Sequence, residues 1–511
     1  MNKNYLLFLL YLLAALFLYP FLKYYVDSAD TLQYITIAEN YAEGNFADAV
    51  NSFWSPLITW LLIPFILSGM EAVFAFKILQ IIIGLFTLKL IFNLIAQSSP
   101  EALVQVVLKI ASAFLVLGFA LLFSTPDLLM LTCYLWFVTL LKNNRPPLLL
   151  GICGAVMYLT KGFGFALFII ACAGAFIYKV WSGQTGKKKA IAALVKTYSI
   201  FFLLCSPWIY LISVKEGNFI FSSAGTNALY LINPAINPNP FDEIHYHFEK
   251  GVLSEPPEHA FTAWIYPHRL TTSEWSPFES SEDFLHYLKT VFRNILSVRS
   301  FYFGADAGTI LILAMVLIFA FGKTKLKTMF RENAFLIITC LITTALYILL
   351  VTIDRYLWIN DIAIIALFGA SVQKLLEWKR PAGIIFLAAF SVLLLYFPAR
   401  SIVKNINAYK DIYVAADELK NKFHFGGNIA SLTDSLPDKN HRLSHLVAYY
   451  AGARYYGMAN EGNASELEKY KIDFILDWNV SGTGWPRKST LIRKEISLPQ
   501  TGLTVYQISN R

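Results

Sequence analysis

Asp27-Ser-Ala-Asp30-Thr-Leu-Gln-Tyr34 follows closely on an apolar run from residue 5 to residue 22. A run of that length matches the hydrocarbon core of a bilayer, which takes roughly 20 helical residues to cross. Carboxylates placed where a chain leaves the bilayer are expensive to desolvate, so Asp27 and Asp30 stand as functional candidates. The rest of the chain has the same character. Its 511 residues are 56% hydrophobic and 16% aromatic, with mean hydropathy +0.52. Those values exclude an ordinary water-soluble enzyme and indicate a polytopic α-helical membrane protein. No small-x-small cleavage site follows the first run, which reads as a retained anchor.

Further apolar runs fall near 73–97, 103–123, 128–142, 147–160, 163–181, 190–213, 304–322, 334–352, 357–376 and 381–398. The segment 56–70 is ambiguous, because it is short and contains Pro56 and Pro64. Charge decides it. If it does not cross, Lys142/Arg145, Lys179/Lys187–Lys189, Lys323–Arg331 and Lys374/Lys379/Arg380 all fall on the side of the N-terminus, as the positive-inside bias requires. The expectation is about eleven transmembrane helices, with the N-terminus cytoplasmic and the C-terminus outside. The net charge of +8 then reflects inner loops and gives no reason to expect a nucleic-acid partner. All five cysteines lie in apolar runs and form no disulfide or metal-binding pattern.

Residues 1–400 thus read as a transmembrane unit with outer loops 23–72 and 214–303. Residues 405–511 read as a small α/β extracytoplasmic domain, with helical pattern at 411–422 and 442–452 and strand pattern at 428–431, 472–476 and 503–508. The stretch 31–43, with Tyr34, Ala38 and Tyr41 on one face and Glu39 and Glu43 on another, has the pattern of a helix lying in the membrane interface.

On this topology the outer-facing polar residues share one membrane depth: Asp27, Asp30, Asp127, Lys161 and the run Asp354-Arg355-Tyr356. A carboxylate there can act as general base on a hydroxyl. Lys161 and Arg355 can neutralise a phosphate, Arg through its planar fork and Lys as a point charge. Other readings stand beside these. An acid after a span is most often a solvated flank, and Pro126-Asp127 is also an ordinary helix start. Lys161 can simply snorkel, and Arg355 can pair with Asp354. The histidines His245, His247, His259 and His268 show no metal-ligand spacing, and no phosphate-binding Gly-Lys-Ser/Thr loop or dinucleotide fingerprint occurs.

The pattern resembles the C-type superfamily (GT-C) of membrane glycosyltransferases, in particular the bacterial branch similar to protein O-mannosyltransferases and lipid A aminoarabinose transferases. That family carries Asp-Glu-x-x-Tyr-x-x-x-Ala-x5-Gly in its first outer loop. Here Asp30, Tyr34, Ala38 and Gly44 stand at that spacing, followed by Trp54-Ser-Pro56-Leu57. Thr125-Pro-Asp127, Thr160-Lys161-Gly162 and Arg355-Tyr356 follow in family order. Thr31 departs from the pattern where Glu is frequent; Asp27 is the neighbouring carboxylate, and a divalent metal is left open.

The resemblance implies an inverting transferase of the bacterial inner membrane. It would move a sugar from a polyprenyl-phosphate donor to a lipid, glycan or protein acceptor outside the cytoplasm. Asp30 would be the general base and Asp127 its orienter, with Lys161, Arg355 and Tyr356 at the donor phosphate. Asp27, Tyr34, His268, Arg269, Glu274 and Trp275 are weaker candidates for substrate contact. Two rivals belong to other classes: a transporter or flippase of lipid-linked sugars, and a non-catalytic envelope scaffold. A transporter predicts charges at mid-membrane and paired broken helices, whereas the charges here sit mainly at span ends.

Overall fold

The apolar runs fold as helices. The computed structural model describes residues 3–241, 252–270, 275–301, 330–432, 437–460, 464–478 and 492–508. Helices Lys3–Leu22, Ala72–Ser98, Ala102–Leu122, Asp127–Lys142, Pro147–Thr160, Phe163–Trp181, Lys187–Glu216, Ala334–Ile348, Trp358–Trp378 and Arg380–Lys404 take up the expected spans. The expected span 304–322 lies outside the described residues. Seven helices among the described residues are long and apolar enough to cross a membrane, and the chain is a multi-pass membrane protein.

Polar contacts sort the helix connections into two ends of the bundle. At one end Lys179 donates to Asn144 and Ser99 to Gln373, and Arg380 approaches Glu101. At the other, Asp27, Asp127, Lys161 and Arg355 meet. Segment 56–70 forms the helix Leu57–Leu67. Eleven residues at about 1.5 Å each rise only about half the thickness of a bilayer core. Both of its flanks, Ser55 and Glu71, lie at the Asp30 end, where Glu71 accepts from the amides of Val73 and Phe74 and so caps the next helix.

The helix expected to lie in the membrane interface is Asp30–Glu43, closed by Gly44 at φ +88°, a left-handed cap that glycine adopts without strain. It is more enclosed than an interfacial helix. Nine of its residues are buried, chiefly against the helix Leu57–Leu67, and the C-terminal domain adds cover on the side that sequence leaves polar. That domain is a five-stranded mixed sheet of β1 (Asn428–Leu432), β2 (Arg454–Ala459), β3 (Phe474–Asp477), β4 (Ile492–Leu498) and β5 (Leu503–Ile508), in the order β2-β1-β3-β5-β4. Parallel pairs β1–β2 and β1–β3 are joined through the helices Pro437–Ala451 and Ala464–Lys469. The edge strand β2 is covered by the segment 253–262, through Leu253 opposite Gly457 and Thr262 opposite Tyr455. Gly457 sits at φ +120° with the Val252 carbonyl against it, leaving no room for a side chain.

Docking of the domain includes a partly buried carboxyl, Glu39. The Tyr449 hydroxyl donates to Glu39 Oε1 at 2.6 Å. Burial pushes the Glu39 carboxyl up from 4.5 to about 7; the Tyr449 bond opposes the shift, and Glu43 and Glu71 add to it. The folded state therefore holds a proton that the unfolded chain has released between those values. The stability this contributes is complete below about 4.5 and is lost as pH rises through about 7. Thermal unfolding of the full chain should show a higher midpoint at pH 5.5 than at pH 8, with the difference reduced in Glu39→Gln. An unchanged pH slope in that variant would show that Glu39 is not the group responsible.

Candidate active site

Four connections bring the site together. The turn after the first helix supplies Asp27, and the helix Asp30–Glu43 begins at Asp30, whose carboxylate suits the positive end of the helix dipole. Asp127 opens the helix Asp127–Lys142 directly after Pro126. Lys161 ends the helix Pro147–Thr160 in extended conformation, and Arg355 lies in the 3-10 turn Asp354–Leu357.

Arg355 is the hub. Its Nη1 lies 3.2 Å from Asp27 Oδ2, its Nη2 3.2 Å from Asp30 Oδ2 and its Nε 3.1 Å from Asp127 Oδ2. Lys161 Nζ donates to Asp127 Oδ1 at 2.7 Å and sits 3.5 Å from the centre of the Tyr356 ring. Asp127 also accepts from Thr125 Oγ1 at 2.8 Å, and Asp27 Oδ1 accepts from the Ser124 amide at 3.0 Å. Desolvation raises the Asp27 carboxyl above the ordinary range, against the opposing charges of Arg355 and Lys77. It lowers the Lys161 ammonium, which Asp127 works to keep charged.

Exposure separates the three acids. The Asp30 side chain is 26% accessible, against 4% for Asp27 and 5% for Asp127. Asp30 Oδ2 pairs with Arg355, and Oδ1 has no partner among the described residues. Asp30 therefore offers an open oxygen while the other two acids are engaged in holding cations. It faces a cavity of about 370 Å³ whose polar end is formed with Asp127, Lys161 and Arg355. Beyond that end the wall is apolar, with Phe163, Phe165, Phe221, Leu350 and Val351. A charged head beside an apolar trough matches an amphipathic ligand with one anionic group.

Thr31, the departure from the family pattern, is fully buried, and its hydroxyl donates to the Ser124 carbonyl at 2.9 Å. It ties the start of the helix Asp30–Glu43 to the turn that carries Asp127. Among the described residues no three His, Cys, Asp or Glu side chains are grouped as metal ligands. The carboxylates that do converge surround a guanidinium.

Tyr34 and Tyr356 line the cavity with the four charged residues. His268 and Arg269, read from sequence as substrate contacts, are held elsewhere: both pair with Glu216 at 3.3 Å, and neither lines the cavity. Glu216 ends a long helix beside them and also accepts from Ser52 at 2.8 Å. Trp275 donates to Asp283 at 2.8 Å and also lies off the cavity, and Glu274 falls outside the described residues. Sequence reasoning missed Trp264 and Tyr347. Trp264 lines the cavity, and Tyr347 stacks between Phe163 and Tyr356 at 3.8 and 4.5 Å. Only an aromatic-rich loop signalled the first, and nothing signalled the second.

No family model and no curated protein sequence matches the chain. Among the solved structures similar to it in fold are two with a lipid phosphate bound. One is ArnT from Cupriavidus metallidurans bound to undecaprenyl phosphate, with TM-score 0.56 and 13% identity over 99% of this chain and 98% of that one. The other is the archaeal oligosaccharyltransferase AglB from Archaeoglobus fulgidus in complex with an inhibitory peptide and a dolichol-phosphate. It has TM-score 0.53 and 13% identity over 93% of this chain and 69% of that one. The chain has the GT-C fold, a helical membrane bundle here joined to a small C-terminal sheet domain.

Proposed function

We propose that the protein is a glycosyltransferase that moves a sugar from a polyprenyl-phosphate carrier to an acceptor hydroxyl outside the cytoplasm. The observation that carries this reading is an accessible carboxylate, Asp30, beside Lys161 and Arg355 at the polar end of an otherwise apolar cavity. The ArnT structure holds undecaprenyl phosphate and the AglB structure a dolichol-phosphate.

In the reaction Asp30 accepts the proton of the acceptor hydroxyl as its oxygen bonds to the sugar anomeric carbon. The bond from that carbon to the phosphate oxygen breaks on the opposite face, so configuration inverts and polyprenyl phosphate leaves with the electron pair. Charge grows on the leaving phosphate, where Lys161 and Arg355 lie ready without reorganisation. Asp127 positions both cations. The apolar trough takes the first isoprene units. A transporter of lipid-linked sugars would need charge along a path through the bundle; this cluster is gathered at one end of it.

Membranes containing the protein, given a panel of radiolabelled polyprenyl-phosphate sugars, should transfer label from at least one of them to an acceptor. Movement of intact labelled donor across the bilayer, without sugar transfer, would identify a transporter instead.

A further inference from the structure

Asp30 borders two cavities. The second, of about 270 Å³, lies against the C-terminal domain and is lined by Asp27, Asp30, Trp264, Arg355, His441 and Arg442. Asp30, Trp264 and Arg355 belong to both cavities. The general base and the principal cation thus stand in the partition between an apolar trough and a less apolar chamber. The helix Pro437–Ala451 presents His441 and Arg442 to that chamber, so the C-terminal domain completes it. His441 meets Trp264 edge to face at 5.7 Å.

Arg442 differs from the other two cations. Arg355 and Lys161 are neutralised by carboxylates. Arg442 Nη1 donates to the Asp27 backbone carbonyl at 2.6 Å, and its guanidinium lies 5.5 Å from the Tyr409 ring. Its Nε is buried without a hydrogen-bond partner, and no carboxylate pairs with it among the described residues. A partly buried guanidinium with free donors and no counter-ion is a site for an anion, and its fork suits phosphate.

We propose that the second cavity receives the acceptor, and that Arg442 selects an acceptor carrying a phosphate group beside the hydroxyl that Asp30 activates. The assignment of the cavity to the acceptor rests on the transferase reading. The anion site itself does not.

The test is thermal unfolding of the purified full chain titrated with sn-glycerol 1-phosphate, with glycerol as the uncharged control. Each titration is run with and without saturating undecaprenyl phosphate. A saturable stabilisation by glycerol phosphate, absent with glycerol, should persist when undecaprenyl phosphate fills the first cavity. Its apparent Kd should rise at least about tenfold in Arg442→Gln, the loss of one charge-assisted contact, and recover in part in Arg442→Lys. Nanodiscs of phosphatidylglycerol against phosphatidylcholine separate the sources. Stabilisation by phosphatidylglycerol assigns a lipid headgroup, and stabilisation by the soluble phosphate alone assigns a water-soluble acceptor.

Three results overturn the proposal: no stabilisation of the wild type, abolition by undecaprenyl phosphate, or an unchanged Kd in Arg442→Gln. Failure of undecaprenyl phosphate itself to bind would count against the transferase reading, while an Arg442-dependent phosphate site would stand.

Discussion

Asp30→Asn should reduce sugar transfer by about a hundred- to ten-thousand-fold, the usual contribution of a general base, while donor binding stays close to wild type. The substitution is nearly isosteric, and an amide oxygen can still accept from Arg355. Arg355 also keeps Asp27 and Asp127, so insertion and folding should change little. Asp27→Asn provides the control. Asp27 is buried and binds the Ser124 amide, Arg355 and nothing in the larger cavity, so its loss should act on stability more than on the chemical step. Near-wild-type turnover in both variants would remove Asp30 from the mechanism, and loss confined to Asp27→Asn would transfer the role to Asp27.

Arg355 variants carry the second large effect, and the structure changes what they should do. Arg355 binds three carboxylates at once, so it holds the site together besides facing the cavity. Arg355→Lys keeps the charge but loses the planar fork that spans the three acids, so donor KM should rise with a smaller loss of stability. Arg355→Gln leaves Asp27 and Asp127 buried without that counter-ion. Removing one partner of a buried pair costs on the order of 3–5 kcal/mol, so the unfolding midpoint should fall clearly below that of Arg355→Lys. Kinetics of donor use, read beside unfolding curves, separate the two roles. A wild-type donor KM in Arg355→Lys would withdraw Arg355 from the phosphate site.

What was legible in the sequence followed from local pattern. Apolar runs of bilayer length gave the spans, since lipid imposes length and composition on each helix separately. In the tail, β1, β3 and β5 were legible because they are short apolar runs. β4, Ile492-Arg-Lys-Glu-Ile-Ser-Leu498, and β2, Arg454-Tyr-Tyr-Gly-Met-Ala459, were not. In β4 three consecutive charged side chains are exposed on the edge of the sheet, and in β2 a glycine at φ +120° interrupts the strand pattern.

The site was legible as residue types at one depth, not as contacts. Asp27 and Arg355 are 328 residues apart, and no local pattern shows that one guanidinium joins three acids. The cover over Glu39 on the helix Asp30–Glu43 was likewise hidden, because its partner Tyr449 lies 410 residues away. His268 and Arg269 read as sugar contacts for want of their partner; Glu216 is more than 50 residues upstream, at the end of a span.

The central claim is that this end of the bundle receives a polyprenyl phosphate head between Lys161 and Arg355, within reach of Asp30. A cryo-electron microscopy map of the full chain with undecaprenyl phosphate tests it directly. The account predicts phosphate density contacting Lys161 Nζ and the Arg355 guanidinium, with the lipid chain running along Phe163, Phe165 and Val351. Phosphate density at any other place, with this cavity empty of lipid, would contradict it.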